Sequence, residues 1–78
     1  MEDIIVQVHT IMAEKLGIDE TKINNEADFR KDLHIDSLDL YELFTETEKR
    51  FGISIPDEIA EKIETVGQLI IFISSQRH

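Results

Sequence analysis

Cysteine is absent from the 78 residues. That excludes a disulfide framework and a thiolate zinc site. It also leaves the chain without a thiol of its own, so thioester chemistry would need one from a cofactor. Proline occurs once, glycine three times and tryptophan not at all, so breaks between elements should be few and legible. Basic residues are scarce: 8 Lys and Arg stand against 17 Asp and Glu, a formal net charge of −9. Nucleic-acid binding is excluded on that balance, because phosphate contacts need clustered Lys and Arg. An anionic membrane surface is disfavoured for the same reason. No apolar run approaches the ~20 residues of a membrane span, and no positively charged, apolar leader opens the chain. The expectation is a soluble cytoplasmic protein.

What is present is sufficient for a core. Apolar residues make up 41% of the chain, too many for a disordered acidic tail. The length predicts one domain spanning 1–78, of modest stability and expected to act as a monomer. Neither a repeat nor a linker interrupts it. The acidity would suit basic protein partners; solubility alone is the plainer account of it.

Between Asp3 and Leu16, apolar residues fall at Ile4, Val8, Ile11 and Met12, with Ile5 and Leu16 on the flanks. That spacing predicts a first helix, closed by Gly17 as C-cap and Ile18 beyond it. Residues 17–36 are long for a connection in so small a domain. Ile23, Ala27, Phe29, Leu33 and Ile35 could pin them across the core, with Asp28 capping a single turn through Lys31. A second helix is predicted over Ser37–Phe51, with Asp36 at its N-cap and Gly52 as its stop. Pro56 opens a short third helix, about Asp57 to Ile63. Thr65 and Gln68 form a capping box for a fourth, from Val66 to about Ser75. The predicted architecture is all-α: a small antiparallel four-helix bundle of three longer helices and one short one, with a long ordered loop between the first two.

The second helix carries two faces. Leu40, Leu43, Phe44, Thr47 and Phe51 share a core arc, while Asp39, Glu42 and Glu46 form an acidic one. Leu38, Tyr41 and Thr45 lie between them, away from the core. Exposed apolar residues rimmed by carboxylates suit docking, although a solvated acidic face with stray apolar residues gives the same pattern. Ser37 heads this helix, where serine is commonly an N-cap. His34, Asp36 and Ser37 do not make a hydrolase, since no strand or glycine-rich elbow is predicted to converge them. Asp32, Asp36, Asp39 and Glu42 lack the central glycine and ligand alternation of a calcium loop, and no metal site is expected.

Asp36-Ser37-Leu38-Asp39, followed by Glu42-Leu43, resembles the phosphopantetheine attachment signature of acyl carrier proteins. The likeness extends through Leu16-Gly17-Ile18, Phe29-x-x-Asp32-Leu33, Glu48-x-x-Phe51-Gly52-Ile53, Ile55-Pro56-Asp57-Glu58-x-Ala60-Glu61-Lys62-Ile63 and Thr65-Val66. Order, spacing and length fit a stand-alone member. The resemblance implies a carrier rather than an enzyme. A phosphopantetheinyl transferase, with coenzyme A and magnesium, would join Ser37 Oγ to 4′-phosphopantetheine through a phosphodiester, with Asp36 and Leu38 flanking. The arm's thiol would then carry acyl groups for fatty acid, polyketide or related lipid synthesis. Enzymes with basic patches would dock on Leu38, Asp39, Tyr41, Glu42, Thr45 and Glu46. Phe29, Leu43, Thr47, Ile55, Ala60 and Ile63 would line a pocket for the acyl chain. An aminoacyl or peptidyl carrier, and an unmodified acidic adaptor, are the alternatives.

Four positions depart from the family pattern. His34 and Ile35 stand where Gly and a small residue are common, Thr45 where an apolar residue is common, and Thr47 where a large aliphatic residue is usual. They suggest a dedicated carrier with its own partner or cargo. The helix dipole favours a phosphate on Ser37 by about 0.3–1 kcal/mol, but Asp36 and Asp39 oppose its charge.

Overall fold

Side-chain caps and glycines delimit the helices in the computed structural model, which describes residues 3–76. The first helix, α1, spans Ile4–Leu16. Asp3 Oδ1 accepts the Ile5 N–H at 2.9 Å, satisfying one of the donors a helix start leaves unpaired. At the other end Gly17 adopts a left-handed φ of 67°, and its N–H reaches Ala13 O. The second, α2, spans Ser37–Phe51 and repeats the logic. Asp36 Oδ1 accepts from Asp39 N at 2.9 Å, and Gly52, at φ 64°, closes on Glu48 O. The Glu48 carboxylate also accepts the Ile55 N–H at 2.7 Å, tying the segment after α2 back to its last turn.

The third helix, α3, is shorter than expected. It covers Asp57–Ala60, not 57–63. Pro56 fixes its entry but offers no capping side chain. Past Ala60 the chain tightens into bonds three residues apart, Lys62 N to Ile59 O and Ile63 N to Ala60 O, the usual way a short helix winds down. That turn buries Ile63. The fourth helix, α4, spans Val66–Gln76. Its capping box forms as expected: Gln68 N donates to Thr65 Oγ1 at 3.1 Å, while Gln68 Oε1 accepts from Thr65 N at 3.1 Å and Glu64 N at 2.6 Å.

Four helices, three of them long, therefore build the fold, with no named strand among the described residues. A short 3₁₀ turn, Glu20–Lys22, lies in the long α1–α2 connection. Asp19, Asn24, Asp28 and Asp32 order that connection by accepting nearby backbone N–H groups. Such side chains imitate a backbone turn. The connection is also clamped to the α3–α4 turn by a pairing of Asp28 with Thr65, through Phe29 N to Glu64 O at 2.9 Å and Val66 N to Ala27 O at 3.2 Å. Nearby, Gly67 N donates to Asn25 O at 2.7 Å.

Inside, Val8, Ile11 and Met12 of α1 meet Leu43 and Phe44 of α2 and Val66, Leu69 and Ile73 of α4, all buried. The connection contributes Ile23, Ala27, Phe29 and Ile35 to the same cluster. Leu33 packs against its edge, partly buried. Phe29 meets Phe44 edge to face, with ring centroids 6.2 Å apart and planes at 81°, an arrangement aromatic quadrupoles favour. Burying a phenyl ring stabilises by roughly 1.5–3 kcal/mol, so Phe29 anchors the loop more firmly than any single one of its surface hydrogen bonds does. Thr47 is fully buried, and its hydroxyl donates to Leu43 O at 2.8 Å. The back-bond to the previous turn that a mid-helix threonine calls for is thus made.

Candidate functional site

Ser37 begins α2 immediately after the Asp36 cap, and its side chain is exposed. Asp36 engages the Asp39 N–H through its side chain and the Leu40 N–H through its carbonyl. The N–H groups of Ser37 and Leu38 have no protein acceptor among the described residues. Capping is done by Asp36, so the Ser37 hydroxyl is not needed for it. Among the described residues no hydrogen bond engages that hydroxyl.

Two hollows lie beside it. The first, a groove of about 230 Å³, is lined by Ser37, Tyr41, Leu40, Phe44, Ala60 and Arg30 among others. The second, about 260 Å³, runs deeper between the loop and α3, with Phe29, Leu40, Ala60 and Ile63 as its apolar walls. Leu40, Ala60, Arg30 and Glu61 border both. Of the residues expected to line an acyl pocket, Phe29, Ala60 and Ile63 reach this second hollow. Leu43, Thr47 and Ile55 do not: they pack in the core cluster or against it and wall neither hollow. Helical phase sends Leu43 and Thr47 inward, where both are fully buried yet line neither hollow. Leu40, read from sequence as a core residue only, is the one from α2 that floors both.

The outward face of α2 has two strongly exposed apolar side chains, Leu38 at 80% and Tyr41 at 69%. Asp39 and Glu42 are exposed beside them, while Thr45 and Glu46 are half-buried. None of these carboxylates takes part in an ion pair among the described residues; the one such pair joins Arg50 to Glu14 at 3.8 Å. Loop electrostatics are local. The Lys31 N–H, then that of Arg30, with the charges of both side chains, hold the Asp28 carboxyl below its ordinary value, against an opposing effect of desolvation.

His34 was not anticipated as a conformational feature. It has a left-handed φ of 55°, the region where a Cβ is disfavoured. The backbone needs it there: the single turn begun at Asp28 ends with Leu33 N on Asp28 O, and Ile35 N then returns to Phe29 O at 2.9 Å. That reversal buries Ile35 and delivers Asp36 to the head of α2. The hint was the position itself, where glycine is common in the family pattern.

The described residues include no cluster of His, Asp or Glu able to hold a metal ion, and no helix long and apolar enough to cross a membrane.

A helical scaffold that presents an unbonded hydroxyl at a helix head, beside a groove and an acidic face, suits a carrier class. The comparisons agree. A family profile described as the phosphopantetheine attachment site matches residues 6–73. The chain is 49% identical over 72 residues to an acyl carrier protein of Rubrobacter xylanophilus, covering 92% of this chain and 89% of that one. The chain belongs to the acyl carrier protein family. It is accordingly a carrier on which enzymes act, and the cofactor of its family is phosphopantetheine. The residues present fit that group. A phosphodiester link needs an accessible hydroxyl and space for a slender arm, and α2 offers the one with a groove beside it.

Proposed function

We propose that Ser37 is the attachment residue and that the chain carries acyl groups as thioesters for fatty acid, polyketide or related lipid synthesis. The observation that carries this reading is the free Ser37 hydroxyl lining a groove. Among the described residues, the other serine and threonine hydroxyls are engaged or, like that of Thr45, line neither hollow. Those of Thr10, Thr47 and Ser75 donate to carbonyls of their own helix, and Thr21 donates to Asp19. Ser54 and Ser74 are exposed but line neither hollow.

In this reading Ser37 Oγ loses its proton and forms a P–O bond as the bond to the adenosine bisphosphate part of coenzyme A breaks. The arm supplies the thiol that the chain lacks. The remaining work belongs to the chain. Asp36 holds the α2 start so that the hydroxyl points to solvent. Leu38 and Tyr41 offer apolar contact, and Asp39 and Glu42, with the half-buried Glu46 and Thr45 at the margin, set a field for enzymes with basic patches. Phe29, Leu40, Ala60 and Ile63 shelter an acyl chain. Residues 1–78 act as one carrier unit, a cytoplasmic monomer that meets partners one at a time. Net acidity favours an acyl cargo over an aminoacyl or peptidyl one.

The test is a mass measurement after incubation with a broad phosphopantetheinyl transferase and coenzyme A. Wild type should gain one arm and Ser37→Ala none. An unchanged wild-type mass with several competent transferases would overturn the reading and favour an unmodified adaptor.

A further inference from the structure

The head of α2 poses an electrostatic problem. A phosphodiester on Ser37 would sit between Asp36 and Asp39, and the helix dipole offsets only part of that repulsion. The structure supplies a cation that the attachment motif does not contain. Arg30 lies on the loop opposite the α2 start and lines the same groove as Ser37. It also borders the deeper apolar hollow. Its side chain is exposed and has no ion pair or hydrogen bond among the described residues. Its backbone is held firmly, because the Arg30 N–H donates to Asp28 Oδ1 at 2.9 Å. Asp57 and Glu61 also line the groove, yet neither pairs with Arg30. An arginine whose backbone is fixed beside a groove and whose side chain is unpaired among the described residues, in a chain of net charge −9, is suited to bind an oxyanion brought there.

We infer that Arg30 is a positioning residue for the modified form: it binds the phosphodiester on Ser37 and so lays the arm along the groove toward the apolar hollow. The inference rests on Ser37 being the attachment residue. Its consequence is directional. With the phosphate drawn to the loop side of α2, the thiol end is biased toward Ala60 and the hollow behind it. Without that contact the arm leaves Asp36 and Asp39 for solvent. Arg30 thereby sets the balance between sheltered and presented cargo, and that balance responds to salt, since exposed charges are screened within a Debye length.

The experiment compares apo and modified protein by amide chemical shifts, in wild type, Arg30→Gln and Arg30→Lys. Mass spectrometry first confirms that each variant carries one arm. In wild type at low salt, modification should shift amides of 28–31 and 57–61 as well as those beside Ser37. In Arg30→Gln the distant shifts should shrink about two- to fivefold, the population change expected of an exposed ion pair. Arg30→Lys should keep most of them, and high salt should bring wild type down to the Arg30→Gln level. The 31P resonance should move with salt in wild type and not in Arg30→Gln. If all variants accept the arm but distant shifts are absent, or equal in wild type and Arg30→Gln, the positioning role is refuted and the attachment reading stands. If wild type accepts no arm, both fall.

Discussion

His34 offers the sharpest test of how the loop is built. Its φ of 55° costs an ordinary side chain roughly 1–2 kcal/mol. Histidine is among the residues enriched in that region, so the lower end applies. Its side chain is exposed and makes no hydrogen bond among the described residues, hence little is lost by removing it. His34→Gly should relieve about 1 kcal/mol of strain, while the looser unfolded chain takes back about 0.4–1 kcal/mol. The net is a gain of up to about 0.5 kcal/mol, or up to about 4 °C in Tm for a domain of this size. His34→Ala separates the causes: it removes the imidazole but keeps the Cβ, so it should leave stability within about 0.5 kcal/mol of wild type or slightly below. Thermal and urea unfolding followed by far-UV circular dichroism would measure both. Should His34→Gly lose a kilocalorie or more while His34→Ala is neutral, backbone strain is not what the position stores. Should both lose equally, the imidazole makes a contact that matters.

Gly67 should tolerate nothing larger. A Cβ there would stand 2.8 Å from Asn25 O, against backbone. Because the Gly67 N–H already holds that oxygen at 2.7 Å, Gly67→Ala should cost about 1–3 kcal/mol, as overpacking does. An unchanged Tm would show that the loop slides freely past α4. Replacing Leu38 and Tyr41 together by Ala should move stability by no more than about 0.5 kcal/mol per site. Binding to a cognate enzyme should fall about tenfold, the loss expected for an interface residue worth more than 1 kcal/mol. Titration calorimetry against the transferase would report it, and global unfolding of the double variant would mean the faces of α2 are reversed.

The helices were legible because their ends are written in side chains: Asp3 and Gly17, Asp36 and Gly52, Thr65 and Gln68. Where the end lacked such a mark, the reading overran. Glu61, Lys62 and Ile63 continue the helical spacing of α3, and nothing in them announces that the chain tightens after Ala60. The Asp28–Thr65 pairing was invisible because it joins backbone groups distant in the chain, and backbone groups carry no residue code. Periodicity placed Leu43 and Thr47 inward correctly, yet it does not separate the wall of a hollow from the centre of a core. That distinction depends on where the loop and α3 lie, which makes Leu40 the α2 residue that borders both hollows. Arg30 was passed over because an exposed arginine in a loop is unremarkable until its groove is known.

Two groups stand out among the carboxylates, while Glu14, Glu20, Glu26 and Glu64 lie elsewhere on the exposed surface. Asp3, Asp19, Asp28, Asp32, Asp36 and Glu48 each accept a backbone N–H; they are structural, and each offsets part of the repulsion that net charge imposes on a small domain. Asp39, Glu42 and Glu46 have no such partner and follow one another along α2, while Asp57, Glu58 and Glu61 follow along α3 and the turn beyond it. Of these, Asp57 and Glu61 line the groove that Ser37 opens. Solubility alone would be served by carboxylates scattered over the surface. In the function proposed above, these gathered carboxylates are the docking face for cationic partners.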